Sequence, residues 1–136
     1  MRLARMLLDT DIVSAMLNRD PRVVSGAQDY YAAHGRFTYS IITQFEILRG
    51  LKARDAKTKL AQFRKINTLN EVVPIPDEIV EQAADVYAEL YRKGSLINDA
   101  DILIAATALV HGMAVATNNE RHFSRIAGLQ VLNWLK

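Results

Sequence analysis

Three acidic residues far apart in the chain, Asp9, Glu46 and Asp101, are the side chains best suited to chemistry. Asp101 falls in the first turn of the stretch Asp99–Gly112, where only Thr107 is polar between Ile102 and Val110. A carboxylate at the edge of so apolar a body either complements a helix dipole near the surface or holds a cation, since an unpaired buried charge is too costly. Brought together, such carboxylates raise one another's pKa and cannot all stay ionised without a counter-charge. A hard divalent cation removes the conflict, and oxygen donors with no His or Cys beside them favour Mg2+ or Mn2+ over zinc. Such an ion lowers the pKa of a bound water, orients it and neutralises charge growing on a phosphoryl oxygen, as phosphodiester hydrolysis requires. Singly, each acid also has a plain structural role: Asp101 as a dipole complement, Glu46 as the i+3 partner of Arg49.

Convergence depends on the elements that carry these residues. Leu3–Leu8 reads as a short buried strand feeding a helix over Ile12–Leu17, which puts Asp9 at the strand's carboxyl end. A helix over Val23–Ala33, closed by His34-Gly35, precedes a second strand, Arg36–Tyr39, and Ser40 then caps a helix in which Ile41, Phe45 and Leu48 recur at helical spacing. A basic helix over Ala56–Thr68 turns Leu60, Phe63 and Ile66 inward. Glu71–Ile75 is a strand that Pro74 confines to an edge or a strand end. A long helix from Pro76 buries Ile79, Ala83, Val86 and Leu90. The Asp101 helix, capped by Asn98 or Asp99 and ended by Gly112, leads to a strand over Met113–Ala116, a polar turn from Thr117 to Glu120, and a last strand near Leu129–Leu132.

Strands separated by helices give an α/β fold, with a mainly parallel sheet of four or five strands covered on both faces. Ligands bind beyond the carboxyl ends of the strands in such a sheet. Asp9 lies at one end, the start of the Asp101 helix belongs near another, and the Thr117 turn follows a third. At about 100° per residue, Glu46 flanks the apolar arc of Ile42 and Phe45 and points along the sheet's rim.

At 136 residues the chain reads as a single domain, residues 1–136, and half of its residues are apolar. No apolar run is long enough for a membrane span. The apolar run behind Arg2 and Arg5 is broken at once by Asp9 and Asp11, which argues against a signal peptide. Cysteine is absent, which excludes disulfides and thiolate metal sites and fits a cytoplasmic location. The formal charge of +2 identifies no partner. Its distribution does more: Arg49, Lys52, Arg54, Lys57, Lys59, Arg64 and Lys65 are opposed by Asp55 alone. Beside an acidic site, that stripe, with Lys52, Arg54, Lys57 and Lys59 at its centre, is a candidate to hold RNA phosphates.

Four stretches resemble, in order, the motifs of PIN-domain nucleases: Leu7–Ile12, Gln44–Gly50, Asp101–Ala106 and Ala116–Phe123. The similarity is greatest to the VapC toxins of type II toxin-antitoxin pairs and includes the closing Leu132-Asn133-Trp134. The resemblance implies a PIN-like three-layer sandwich and a Mg2+- or Mn2+-dependent endoribonuclease with Asp9, Glu46 and Asp101 as metal-binding acids. It implies a structured RNA substrate such as tRNA, a VapB-like antitoxin as inhibitor, a homodimer, contact with operator DNA only through the antitoxin, and no membrane partner. Thr117 matches the family's hydroxyl residue, and Asn119 stands where the family often has a fourth acid. Asp11 replaces a frequent Asn and is read as a cap for the first helix; Asp99 is likewise read as a cap.

Two rival readings remain open on sequence. Asp9-Thr10-Asp11-Ile12-Val13 also suits the nucleophile motif of a haloacid-dehalogenase-type phosphatase, with Asp9 as nucleophile, although Glu46 and the Thr117 turn then have no role. A catalytically silent RNA- or protein-binding module would not need all three acids. His122, preceding Phe123 in a turn, reads as structural or RNA-facing; Tyr30 and Tyr31 are possible base-stacking residues, Tyr87 and Tyr91 core or interface residues. Tyr87, Leu90 and Tyr91, with Leu60 and Phe63, form a candidate apolar surface for a second copy.

Overall fold

The computed structural model describes residues 3–136, so Arg2 lies outside the described residues. Strand β1, Met6–Leu8, ends at Asp9, whose amide still donates to the Ala116 carbonyl at 2.9 Å. That bond keeps Asp9 extended, and its Oδ1 accepts from the Thr10 amide at 2.7 Å to cap helix α1, Thr10–Leu17. A 3-10 turn at Pro21–Val23 leads to α2, Val24–His34, which stops at Gly35 in the left-handed conformation. Strand β2, Thr38–Ser40, passes directly into α3, Ile41–Ala53, with the Ser40 hydroxyl accepting from the Ile42 amide. Helix α4, Lys57–Leu69, and β3, Glu71–Val73, follow. Helices α5, Asp77–Arg92, and α6, Asp99–His111, pack against each other. Strand β4, Ala114–Ala116, a one-turn helix α7, Glu120–Phe123, and β5, Val131–Leu132, close the chain. Helix α7 replaces the expected turn around His122.

All strand pairs are parallel, in the order β3-β2-β1-β4-β5, so the sheet has the larger of the two expected sizes. Pro74 follows edge strand β3, where its missing donor costs no ladder bond. Alternation along the strands divides the core. Leu7, Val73 and Val115 join the cluster under α5 and α6, whereas Met6, Leu8, Tyr39, Ala114 and Ala116 join the cluster under α1 to α4. The result is a three-layer sandwich with a purely parallel sheet at its centre. The chain leaves β1 towards β2 on one side and meets β4 on the other, making the β1–β4 seam the switch point where such sheets bind ligands. Among the described residues, no helix is long and apolar enough to cross a membrane.

Helix α6 is buried almost all round, with Ile104, Ala105, Ala106, Thr107 and Ala108 fully covered, and α5 buries the expected Ile79, Ala83, Val86 and Leu90. Asn98 caps α6, its Oδ1 accepting from the Asp101 amide at 2.9 Å; Asp99, the other expected cap, is exposed in the first turn. Helix α3 departs from expectation. It seats Thr43, Ile47 and Leu51 on the sheet, leaving Ile41 45% and Phe45 57% exposed. A polar residue can lead that buried stripe because the Thr43 hydroxyl pairs with that of Thr10 at 3.0 Å, donating to it while the Thr10 proton goes to Glu46. Phe63 and Leu90 are core residues, so they drop out of the expected apolar surface; Leu60 is half-buried. Tyr87 and Tyr91 remain on the exterior of α5, their rings stacked with centroids 6.1 Å apart.

Candidate active site

Asp9, Asp11 and Thr117 meet where β1 and β4 end together. The buried Thr117 hydroxyl donates to Asp9 Oδ2 at 2.8 Å and accepts from the Asn119 amide at 2.8 Å. Asp11 Oδ2 accepts from the Asn118 amide at 2.9 Å, while Asp11 Oδ1 is buried without a hydrogen-bond partner. The expectation that Asp11 caps α1 is therefore corrected: Asp9, held extended by its sheet bond, takes that role, and Asp11 projects from the first turn into the site.

Asp101 enters from the start of α6 and is 8% exposed. Its Oδ2 faces three groups: Asn98 Nδ2 at 3.1 Å, His122 Nδ1 at 2.9 Å and Asn119 Nδ2 at 3.5 Å. Crowding on Oδ2 leaves Oδ1 as the oxygen free to serve a ligand. A site without histidine was expected, yet His122 is part of it. The signal was the i, i+3 spacing of Asn119 and His122, which a single helical turn brings to one side.

Glu46 reaches the same rim from α3. The Thr10 hydroxyl donates to its Oε1 at 2.6 Å, and Arg49 Nη2 lies 3.5 Å from its Oε2. Glu46 therefore makes the expected Arg49 pair through one oxygen while its other oxygen is bonded to Thr10. Thr10, not singled out in the sequence, links Glu46 to the Asp9 end of α1. Asp9, Asp101, Thr117 and Asn119 thus form one hydrogen-bonded group, and Glu46 is joined to it through Thr10. Of the basic stripe, Arg54 lines a groove of about 90 Å³ with Thr10, Glu46 and Asn18, and Lys59 bonds Asn18; Lys52 and Lys57 are exposed and do not line the groove.

Burial, and next the Asp11 carboxylate, push Asp9 from 3.8 up to about 7, against the Thr117 and Thr10 hydrogen bonds that pull it down; Asp101 adds a smaller upward push. Asp11 is also raised, chiefly by burial and further by Asp101, against bonds from Asn118, Ile12 and Thr117. Among the described residues, no Lys or Arg forms an ion pair with Asp9, Asp11 or Asp101. This is a charge excess with an orphaned oxygen in it, and the donor chemistry fits a hard cation. As the side chains stand, no three acids or histidines among the described residues come close enough to enclose one. A larger apolar groove of about 470 Å³, lined by Met16, Val23, Val24, Ala27, Tyr31 and Phe37, contains none of these acids.

A family model described as PIN domain matches residues 6–129. The chain belongs to the PIN domain family. Among similar proteins, Ribonuclease VapC1 of Rickettsia felis is 32% identical over 131 residues, covering 93% of this chain and 94% of that protein. Ribonuclease VapC1 of Methanocaldococcus jannaschii is 37% identical over 87 residues, 64% of this chain and 62% of that one. The tRNA(fMet)-specific endonuclease VapC of Salmonella typhimurium is 28% identical over 131 residues, 96% of this chain and 98% of that one. Among solved structures, DNA-bound VapBC from Salmonella typhimurium matches with a TM-score of 0.85 and 27% identity over 97% of this chain and 99% of that chain. The PIN-domain match takes in Asp9, Glu46, Asp101, Thr117 and Asn119, and stops before Leu132-Asn133-Trp134.

Proposed function

We propose that this PIN domain is a VapC-type endoribonuclease that hydrolyses RNA phosphodiester bonds, with Asp9, Glu46 and Asp101 holding Mg2+ or Mn2+. One observation carries the reading: Asp9, Asp11 and Asp101 gather at the switch point with no lysine or arginine paired to them among the described residues, and burial and mutual repulsion drive Asp9 up to about 7. When bound, the ion supplies a water of lowered pKa and offsets charge on the phosphoryl oxygens. The chain's own residues do the positioning. Thr117 fixes Asp9, and Asn98, His122 and Asn119 fix Asp101 through one oxygen. Glu46 is the adjustable ligand, because its partners are a hydroxyl and a long, half-exposed contact to Arg49. Arg54 and Lys59, at the groove beside Glu46, hold the polyanion, and Lys52 and Lys57 add to the positive field from outside it.

The substrate class is structured RNA such as tRNA, in keeping with the Salmonella relative named for tRNA(fMet). The partner is a VapB-like antitoxin, in keeping with the VapBC complexes that share the fold, and operator DNA is met through that antitoxin. The domain works in the cytoplasm as a homodimer, with Val80, Tyr87 and Tyr91 on the outer face of α5 as the apolar contact. An antitoxin arginine in the acidic pocket competes with the cation, so excess Mg2+ partly restores activity.

The test is cleavage mapping on total RNA with Mg2+ or Mn2+, with EDTA, and with Asp101→Asn. Discrete cuts that need both the ion and Asp101 are expected. Cuts that persist in EDTA and in the variant sink the metal mechanism, and trapping of an aspartyl phosphate at Asp9 replaces it with the phosphatase reading.

A further inference from the structure

Next to Glu46 on α3, Phe45 presents its ring to solvent, and the Arg49 guanidinium lies 5.3 Å from the ring centroid. An open cleft of about 390 Å³ lies between α3 and the start of α6. Ile42, Phe45, Arg49 and Leu103 form its walls, and it shares Glu46 and Asn98 with the acidic network. The core gives Phe45 no reason to be aromatic, because α3 seats Thr43, Ile47 and Leu51 on the sheet and turns Phe45 away. The function does. Crowded carboxylates repel RNA, so attraction close to them must come from uncharged contacts and from cations outside the acids. A ring face stacks on a base whatever the surrounding charge, an arginine stacked on that ring adds to the platform, and bases are free to stack only where they are unpaired.

We propose that this cleft is a subsite for one unpaired nucleobase of the RNA substrate beside the bond to be cut, with Phe45 as the stacking platform and Arg49 on the flanking phosphate. The proposal rests on the endoribonuclease reading above. The weak Arg49–Glu46 contact, 3.5 Å between side chains 61% and 21% exposed, yields readily to a phosphate. Arg49 then leaves Glu46 free to turn towards Asp9 and Asp101, so that occupying the subsite helps assemble the acids.

The test uses the full chain in EDTA, where RNA binds uncut, and a short single strand carrying 2-aminopurine at the mapped cleavage position. Binding is expected to quench the probe. Phe45→Ala weakens binding about fivefold or more and abolishes the quench, while Phe45→Tyr and Phe45→Trp retain both. Because stacking releases no counterions, Phe45→Ala leaves the salt slope unchanged, whereas Arg49→Gln lowers it by about 0.7. Phe45 is exposed, so unchanged urea melts verify that the variants are folded. If wild type binds and cuts RNA while Phe45→Ala matches it in affinity and quench, the subsite is overturned and the nuclease reading stands. If Phe45→Ala instead splits a dimer and affinity only follows subunit association, the cleft is an interface between copies and the proposal falls. Wild type that neither binds nor cuts RNA removes both.

Discussion

The Thr117 hydroxyl donates to Asp9 Oδ2 at 2.8 Å, tying the ends of β1 and β4 together across 108 residues of chain. The same oxygen accepts from the Asn119 amide, so one buried atom orients an acid and the turn that follows β4. Thr117→Val keeps the shape and removes both bonds. Stability is expected to fall by about 1–3 kcal/mol in urea melts, the cost of leaving buried polar groups unpaired. Because the Thr117 bond pulls Asp9 down, its loss moves the Asp9 titration above its present value of about 7. Carbon-13 NMR of the Asp9 carboxyl reads this directly, and an unmoved titration would detach Thr117 from Asp9.

Asp9 also sets a pH dependence of the ion-free fold. Folding raises its carboxyl from 3.8 to about 7, so between those values the folded chain holds a proton that the unfolded chain has released. This contribution is fully present below 3.8, declines as pH rises, and is lost above about 7; Asp11, also raised, acts with the same sign. Asp9→Asn escapes the penalty. In EDTA it is expected to be more stable than wild type by roughly 1–3 kcal/mol at about pH 8, with the gap closing near pH 4. Added Mn2+ stabilises wild type at the higher pH and not the variant. A variant that is less stable than wild type in EDTA at both pH values contradicts the account.

The parts of this site visible in the sequence are those fixed by local pattern. Asp9 follows an apolar strand, Asp101 opens a helix apolar on nearly every side, and Thr117 ends another strand, so the parallel sheet alone brings them to one rim. Asp11 reads as a cap in sequence because it stands just before the apolar run of the first helix, whereas Asp9, two residues earlier, caps α1. The choice was made by a long-range bond, Asp9 N–H to the Ala116 carbonyl, which leaves no trace in local sequence. His122 depended on α7, a single turn that exists only where the chain packs against the start of α6. The helical spacing of Ile41, Phe45 and Leu48 points Phe45 inward. The rotation of α3 was set instead by Ile47 and Leu51, with Thr43 satisfied by a hydroxyl from another helix.

His122 is expected to act through Asp101. Its Nδ1 is one of three groups on Asp101 Oδ2, and losing such a partner typically weakens metal binding about 10–100-fold. His122→Ala therefore raises the Mn2+ dissociation constant, followed by electron paramagnetic resonance, and His122→Gln, which keeps a donor, recovers part of the loss. Mn2+ affinity equal in all three proteins would leave His122 as a surface residue of α7.

Glu46 and Asp101 separate activity from stability in different ways. The Glu46 side chain is 21% exposed, its Arg49 partner stands largely in solvent and Gln can still accept from Thr10, so Glu46→Gln is expected to shift stability by less than about 1 kcal/mol. Asp101→Asn puts an amide among the donors around Oδ2 and costs more, about 1–3 kcal/mol. Both lower RNA cleavage by more than about 100-fold, beyond what an outer-shell partner is worth. Parallel thermal melts and single-turnover cleavage distinguish the two effects, and normal turnover in either variant removes that residue from the site.

The basic stripe is expected to be unequal along its length. Arg54 lines the groove shared with Thr10 and Glu46, and Lys59 is drawn to the same groove by Asn18. Lys52 and Lys57 are exposed and do not line the groove, so salt screens them more than Arg54. A phosphate contact on single-stranded RNA contributes about 0.7 to the slope of log affinity against log salt. Arg54→Gln and Lys59→Gln are each expected to remove about that much, weakening all RNA sequences alike, whereas Lys52→Gln and Lys57→Gln change the slope by less. Binding titrations in EDTA at several salt concentrations measure this. Equal slopes for wild type and Arg54→Gln would move the RNA path away from the α1–α3 groove and leave the stripe as a solvated face.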